Sequence, residues 1–336
     1  MHSPLLRSDT MSHKPGFAAL QQAANWYAEV EDLASPQTYP AALQRWLDES
    51  QENQLAWRYV LNISQRFSPL RESDERQTAA LTALTQRTHA AGRRQVLKMA
   101  AWMSVGTLLA WGSWRHAPLR NQLLAWHADY HSPRGEIRSF TLADGSRIWL
   151  DTDSALNVDY SPTQRALRLL NGRVMIETAA DQHRPLTIAT AQGKMRALGT
   201  RFSVQALGDT TVLQVYQGAV EVSPAAISDA SIVQAGQAMT FRQDAFGPIS
   251  PLRNAQPAWP RGLLQADNLP LGEFIERLSA YRHGYLGCDP AVSALTVTGT
   301  FPLNDTDMAL DMLANALPVQ LNRRFSWWLT IAPRDK

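Results

Sequence analysis

Residues 99–114 read MAAWMSVGTLLAWGSW, a run without one charged side chain, and its reading divides the chain. Arg93, Arg94 and Lys98 precede it, and Arg115 and Arg120 follow. As a helix the run reaches roughly 24 Å at about 1.5 Å per residue, short of the ~30 Å hydrocarbon core of a bilayer. Val96 and Leu97 extend the apolar length, and Lys98 can snorkel to the interface on its flexible stem. Trp102, Trp111 and Trp114 suit the two interfacial belts. The expectation is a single transmembrane helix over 96–116; a buried core helix is the alternative that its shortness leaves open. The heavier basic flank before the run points to a cytoplasmic N-terminus.

The flank itself, residues 91–98, contains Gly92-Arg93-Arg94-Gln95-Val96-Leu97-Lys98. Its Arg93–Arg94 pair and Leu-Lys ending resemble the twin-arginine export motif, from which Gly92 and Val96 depart. Some ninety residues lie before it, so the segment reads as an internal signal anchor rather than a leader.

Composition agrees with a multidomain chain. Of 336 residues, 45% are hydrophobic and 18% charged, apolar enough for packed cores and too uncharged for disorder. A net charge of +2 without a long basic run argues against a protein held by nucleic-acid phosphates. A lone cysteine, Cys288, excludes an internal disulfide, a CxxC pair and a cysteine zinc site. No metal or cofactor is expected.

Before the anchor, residues 1–90 read as a small helical domain. Leu20, Ala23, Ala24, Tyr27 and Val30 recur at helical spacing. Pro40 suits the start of a second helix carrying Leu43, Trp46 and Leu47. Asn53 is the expected cap of a third, which Ser68-Pro69 should end, with a fourth from Asp74 to His89. Such a module has a thin core and often needs a partner. Trp26, Trp46 and Trp57 are either that core or a docking face, tryptophan being enriched at binding hot spots. Asp48, Glu49 and Glu52 would steer a basic partner.

After a linker at 117–132, the period changes to two and residues 133–247 read as an all-β domain. Ile137–Leu142 and Arg147–Leu150 flank Asp144-Gly145, a hairpin signal; Arg165–Leu170 and Arg173–Thr178 flank Asn171-Gly172, a stronger one. Further strands are expected at Leu156–Tyr160, Leu186–Thr190, Met195–Gln205, Thr211–Tyr216 and Ala219–Val222. Asp144, Asp151, Asp153, Asp159 and Glu177 fall mostly at turns or on outward positions, without the grouping catalysis needs. A proline-rich linker at 248–262 leads to a small α+β domain at 263–332, in the order β-α-β, then α-β-β.

Several local words in this order resemble the FecR family of transmembrane anti-sigma regulators. Asn25-Trp26-Tyr27, Arg45-Trp46-Leu47 and Asn53-Gln54-Leu55-Ala56-Trp57 are similar to its cytoplasmic domain. Leu142-Ala143-Asp144-Gly145-Ser146 and Ala197-Leu198-Gly199-Thr200-Arg201-Phe202 are similar to its periplasmic core. Cys288-Asp289-Pro290-Ala291-Val292 and Gly299-Thr300-Phe301-Pro302-Leu303 resemble the C-terminal part of one member in particular. The tail from Leu263 looks like the short N-terminal domain of secretins and TonB-dependent receptors.

The resemblance implies a single-pass inner-membrane protein with its N-terminus cytoplasmic and its C-terminus periplasmic. It implies a cytoplasmic partner, an extracytoplasmic-function sigma factor, for which Trp26, Trp46 and Trp57 are the candidate contacts. It implies a periplasmic partner, the signalling domain of an outer-membrane TonB-dependent transducer loaded with an iron chelate, and release by an intramembrane protease, for which Ser104, Gly106 and Gly112 would loosen the anchor. Relatives cut their own chain at a Gly-Thr bond, which marks Gly199 and Thr200 as the self-cleavage candidates; no other catalysis and no direct nucleic-acid contact is implied. The competing readings are a membrane-anchored periplasmic enzyme and a one-component DNA-binding sensor. The first would need convergent acids in a cleft and the second a basic recognition helix before Arg93, and neither stands out.

Overall fold

The computed structural model describes residues 15–31, 39–83, 128–181, 183–252 and 256–334. The expected anchor at 96–116 and the arginine pair Arg93–Arg94 lie outside the described residues. Among those described, no helix is long and apolar enough to cross a membrane. The chain divides into two compact units, one of 1–89, 284–295 and 318–336, the other of 90–283 and 296–317. The C-terminal segment 263–334 is thus shared between them.

The first unit contains α1 (Phe17–Glu31), α2 (Ala41–Glu49) and α3 (Gln51–Ala83). Pro40 stands at the cap position of α2, as its fixed φ suits. Ser50, not Asn53, caps α3: its hydroxyl accepts the Asn53 N–H at 3.0 Å. Asn53 instead donates from its side-chain amide to the Trp46 carbonyl, 2.8 Å away, and so ties α3 to α2. The helix runs through Ser68-Pro69 to Ala83, so the expected break and separate fourth helix are corrected. A proline inside a helix forfeits one backbone bond, but an established helix still gains one bond with each residue added.

The same unit contains β15 (Tyr285–Cys288), β17 (Val319–Phe325) and β18 (Trp328–Pro333). Their order is β15-β18-β17, with β15 parallel and β17 antiparallel to β18. Aromatic rings join these strands to the helices. Tyr27 meets Phe325 and Trp327 edge-on at 5.5 and 5.6 Å between centroids. Tyr59 meets Tyr285 at 6.1 Å, and Phe67 stacks on Trp327 at 6.3 Å. Offset and edge-to-face contacts of this kind add about 0.5–1.5 kcal/mol per pair beyond burial.

The second unit is dominated by the β domain. Its strands are β1 (Tyr130–Ser132), β2 (Arg138–Thr141), β3 (Arg147–Leu150), β4 (Ser154–Tyr160), β5 (Arg165–Glu177), β6 (Leu186–Ala189), β7 (Gly193–Ala197), β8 (Arg201–Leu207), β9 (Thr210–Gln217), β10 (Ala219–Pro224), β11 (Ser231–Gln234), β12 (Gln237–Phe241) and β13 (Phe246–Pro251). The main path is β11-β10-β7-β6-β5-β8-β9-β12-β13. The 2–3 hairpin forms around Asp144-Gly145 as expected.

The second expected hairpin does not form. β5 passes straight through Asn171-Gly172 and changes partners there. Its first half pairs with β4 and β6, and its second half with β3 and β8. Gly172 has φ +81°, and a Cβ on it would lie 2.1 Å from Ser154 Oγ. The Asn171 amide donates to the Asp153 carbonyl at 2.7 Å, and Ser154 Oγ accepts the Arg173 N–H at 2.9 Å. The Asn-Gly pair therefore builds a bulge that hands one long strand from one set of partners to another. Residues of both sets meet in a single core containing Leu156, Leu167, Ile188, Val220, Val174, Ile176, Phe202 and Val215.

The expected strand Met195–Gln205 is also corrected. It is two strands, β7 and β8, broken at Leu198-Gly199-Thr200. Beyond the β domain, β14 (Leu263–Pro270) pairs antiparallel with β16 (Thr296–Pro302), and α4 (Leu271–Ser279) and α5 (Thr306–Ala316) complete this unit. Phe274 of α4 packs edge-on against Phe301 of β16 at 4.7 Å. α5 begins at Asp305, whose carboxylate accepts the Met308 N–H.

Candidate functional site

Gly199 and Thr200 occupy the break between β7 and β8. Gly199 has φ +75°, and a Cβ there would meet nothing within 4 Å, so its requirement is conformational and not one of space. Close approach is imposed one strand away: a Cβ on Gly218 would lie 2.4 Å from the Gly199 carbonyl oxygen. A cleft of about 310 Å³ borders Gly199 and is lined also by Thr178, Asp181, Arg196 and Leu198.

The polar groups of Thr200 have unequal fates. Its N–H donates to Thr178 Oγ1 at 2.9 Å. Its carbonyl accepts the Thr178 N–H and the Thr178 hydroxyl, each at 3.1 Å. Its own hydroxyl, Oγ1, is buried and has no hydrogen-bond partner among the described residues. Among the described residues, then, no base holds the proton of that oxygen. Asp181, on the same cleft, accepts from Arg184 Nε at 2.9 Å and from the Arg184 and His183 N–H groups at 3.0 Å.

A second polar cluster ties β3 and β5 to the segment after α4. Arg173 donates to Asp151 Oδ2 from Nε at 2.7 Å and also from Nη2. Tyr281 donates its hydroxyl to Asp151 Oδ1 at 2.6 Å. Arg173 Nη2 reaches the Tyr281 oxygen at 3.3 Å, and the guanidinium lies 4.5 Å from the centre of the Trp259 ring. Backbone contacts reinforce the joint: Arg134 donates to the Ser279 carbonyl and Thr152 to the Ala280 carbonyl. Burial above all, then the Asp151 charge, pushes the Tyr281 hydroxyl far up, so it remains protonated.

Asp144 and Arg165 form another buried pair at 2.7 Å, with side chains 4% and 3% exposed. Burial pushes the Asp144 carboxyl up, but the Ser146 hydroxyl and N–H, with the Arg165 guanidinium, outweigh it and hold the group below its usual value of 3.8. Asp144, in the β2–β3 turn, and Asp151, just before the turn to β4, are thus acids at turns whose side chains are drawn inward by arginines. Asp159 accepts from Gln164 and Glu177 pairs with Arg147 at the surface.

The three candidate tryptophans are placed differently. Trp46 and Trp57 are buried among Leu20, Ala23, Leu43 and Val60, while Trp26 is half-buried, with its Nε1 unpartnered among the described residues. Glu52 accepts the Gly16 N–H at 2.8 Å.

The β domain and the helical module each match a family model. Residues 128–221 match the model described as FecR protein. The chain is similar to the FecR family over that domain. Residues 21–63 match a domain of unknown function, DUF4880, the N-terminal region of FecR proteins. The FecR region ends inside β10, so the Gly199–Thr200 break and the Asp151–Arg173 pair lie within it, while Trp259 and Tyr281 lie beyond. Two crystal structures of a "putative anti-sigma factor" from Parabacteroides distasonis are similar at 18% identity, each over 61% of this chain. They are covered over 99% and 98% of their own chains, with TM-scores of 0.49 and 0.48. No curated protein matches the chain.

Proposed function

We propose that this chain is a member of the FecR family and a membrane-anchored anti-sigma regulator. The helical module holds an extracytoplasmic-function sigma factor in the cytoplasm. The β domain and C-terminal segment receive the signal of a TonB-dependent transducer carrying an iron chelate on the far side of the inner membrane, and proteolysis releases the module with its sigma factor. The observation that carries this reading is the order of the matched regions, 21–63 and 128–221, with the uncharged run at 99–114 between them.

In the inserted protein, a chain threaded at 96–116 holds α1–α3 and the β15-β18-β17 sheet on opposite sides of the bilayer.

Gly199–Thr200 is the bond at which the chain cuts itself. Thr200 Oγ1 attacks the Gly199 carbonyl carbon, the carbon–nitrogen bond breaks, and the hydroxyl proton passes to the departing nitrogen. The product is an ester between Gly199 and Thr200 Oγ1 with a free Thr200 amine. Water from the bordering cleft then opens the ester, leaving a Gly199 carboxylate and restoring the hydroxyl. The unpartnered Oγ1 supports this reading, since no hydrogen bond must be broken before attack.

Affinity capture with the full chain and with residues 1–90 as baits tests the regulator. Retention of a sigma factor is expected on both; recovery of promoter DNA without one would overturn the reading in favour of a one-component sensor.

A further inference from the structure

The proposed self-cleavage needs more than Gly199 and Thr200, because the departing nitrogen gains a proton and leaves as an amine. The groups facing that nitrogen therefore matter. In a regular strand its N–H would donate to a neighbouring carbonyl. Here the break at Gly199 takes it out of the ladder, and a side-chain hydroxyl receives it instead, at 2.9 Å.

We propose that Thr178 is the third residue of this site, its Oγ1 holding the Thr200 nitrogen through the shift from amide to ester. The proposal rests on the self-cleavage reading above. Its physical basis is differential stabilisation. In the intact chain the bond from Thr200 N–H to Thr178 Oγ1 joins two neutral groups. Once the acyl group has moved to oxygen, the freed amine takes up a proton near neutral pH, and the same contact becomes charge-assisted. Such bonds are roughly twice as strong as neutral ones. An interaction that strengthens as the reaction proceeds favours the ester over the amide.

Three further observations support the assignment. Thr178 follows β5 directly, so its backbone is set by the ladder that pairs Glu177 with Arg201. The Thr178 hydroxyl has one defined orientation, because its proton is given to the Thr200 carbonyl at 3.1 Å and a lone pair is thereby turned to the nitrogen. The Thr178 N–H donates to that same carbonyl, so both backbone polar groups of Thr200 are held by Thr178. Thr200 Oγ1 is left out of this network and remains available to attack.

The full-length chain, made by translation in vitro and tagged at both ends, is followed by blotting as fragments appear, beside Thr178→Val, Thr178→Ser and Thr200→Ala. Valine keeps the shape and removes the hydroxyl; serine restores it. Cleavage is expected to slow about tenfold in Thr178→Val, which is about 1.4 kcal/mol, and to stay within about threefold of wild type in Thr178→Ser. Hydroxylamine, which captures the ester as a Gly199 hydroxamate, is expected to trap less product from Thr178→Val at equal thermal midpoint, a difference that a merely structural role would not make. Equal rates for Thr178→Val and wild type, or a Thr178→Ser as slow as Thr178→Val, would overturn the role of Thr178 while leaving self-cleavage standing. An intact wild-type chain would overturn both.

Discussion

Tyr281 is the residue whose removal is most informative about how the C-terminal segment is held. Tyr281→Phe deletes one hydroxyl and leaves the ring. The bond lost runs 2.6 Å to the carboxylate of Asp151, the ion-pair partner of Arg173, and bonds to charged groups contribute about 1.5–3 kcal/mol. Asp151 Oδ1 is not orphaned, since it still accepts the Thr152 N–H at 2.9 Å. That places the cost at about 2 kcal/mol. Asp151→Asn goes further and leaves the Arg173 charge without its counter-ion. A fully buried pair broken this way costs roughly 3–5 kcal/mol. Arg173 is 25% exposed and keeps the Trp259 face, which brings the figure down to about 3 kcal/mol. Amide hydrogen exchange by mass spectrometry reads both locally. Peptides spanning 165–177 and 271–283 should exchange about 30-fold faster in Tyr281→Phe and about 150-fold faster in Asp151→Asn, at 1.36 kcal/mol per tenfold. Peptides from β9 and β12 should be unchanged. The reasoning fails if both variants stay within twofold of wild type, or if Tyr281→Phe exceeds Asp151→Asn.

Two further outcomes follow from the packing. The Asp144 carboxyl is held below 3.8, so its contribution to stability is full above that value and is lost as pH falls through the lowered folded value; Asp144→Asn should cost about 3 kcal/mol at pH 7, and its thermal midpoint should drop less than that of wild type between pH 5 and pH 3. A photo-reactive phenylalanine at Tyr59, facing Tyr285 at 6.1 Å between centroids, should capture residues 284–295 in chain retained in the cytoplasm and fail to do so in inserted chain. Capture in the inserted protein would refute the proposed topology.

Much of the β domain was legible because half-buried strands write their burial into alternation. β9 and β10 alternate buried and half-buried positions along most of their length, and the sequence shows the same period. α4 was legible for the corresponding reason, with Leu271, Phe274, Ile275 and Leu278 on one buried face. The failures have a common cause. Asn171-Gly172 is a strong local turn signal, but Ser154 of β4 and Asp153 in the turn before it use it as a bulge. In Met195–Gln205 the buried apolar positions change parity, from Met195 and Ala197 to Phe202 and Val204, where the chain breaks at Gly199 and Gly218 closes on its carbonyl. Arg173 and Tyr281 are 108 residues apart, and Thr178 and Thr200 are 22 apart; neither spacing carries a periodic signal.

The sequence by itself determined what depends on neighbours along the chain: a helical module before an uncharged run, an all-β domain after it, an α+β tail, and the local words of the FecR family. Tertiary structure alone decided which strands exchange partners, that Asp144 and Asp151 are interior, and that Thr178 meets the Thr200 nitrogen. Apolar periodicity is a property of consecutive residues, whereas a buried charge or a shared hydrogen bond is chosen by whichever distant residue the fold brings within 3 Å.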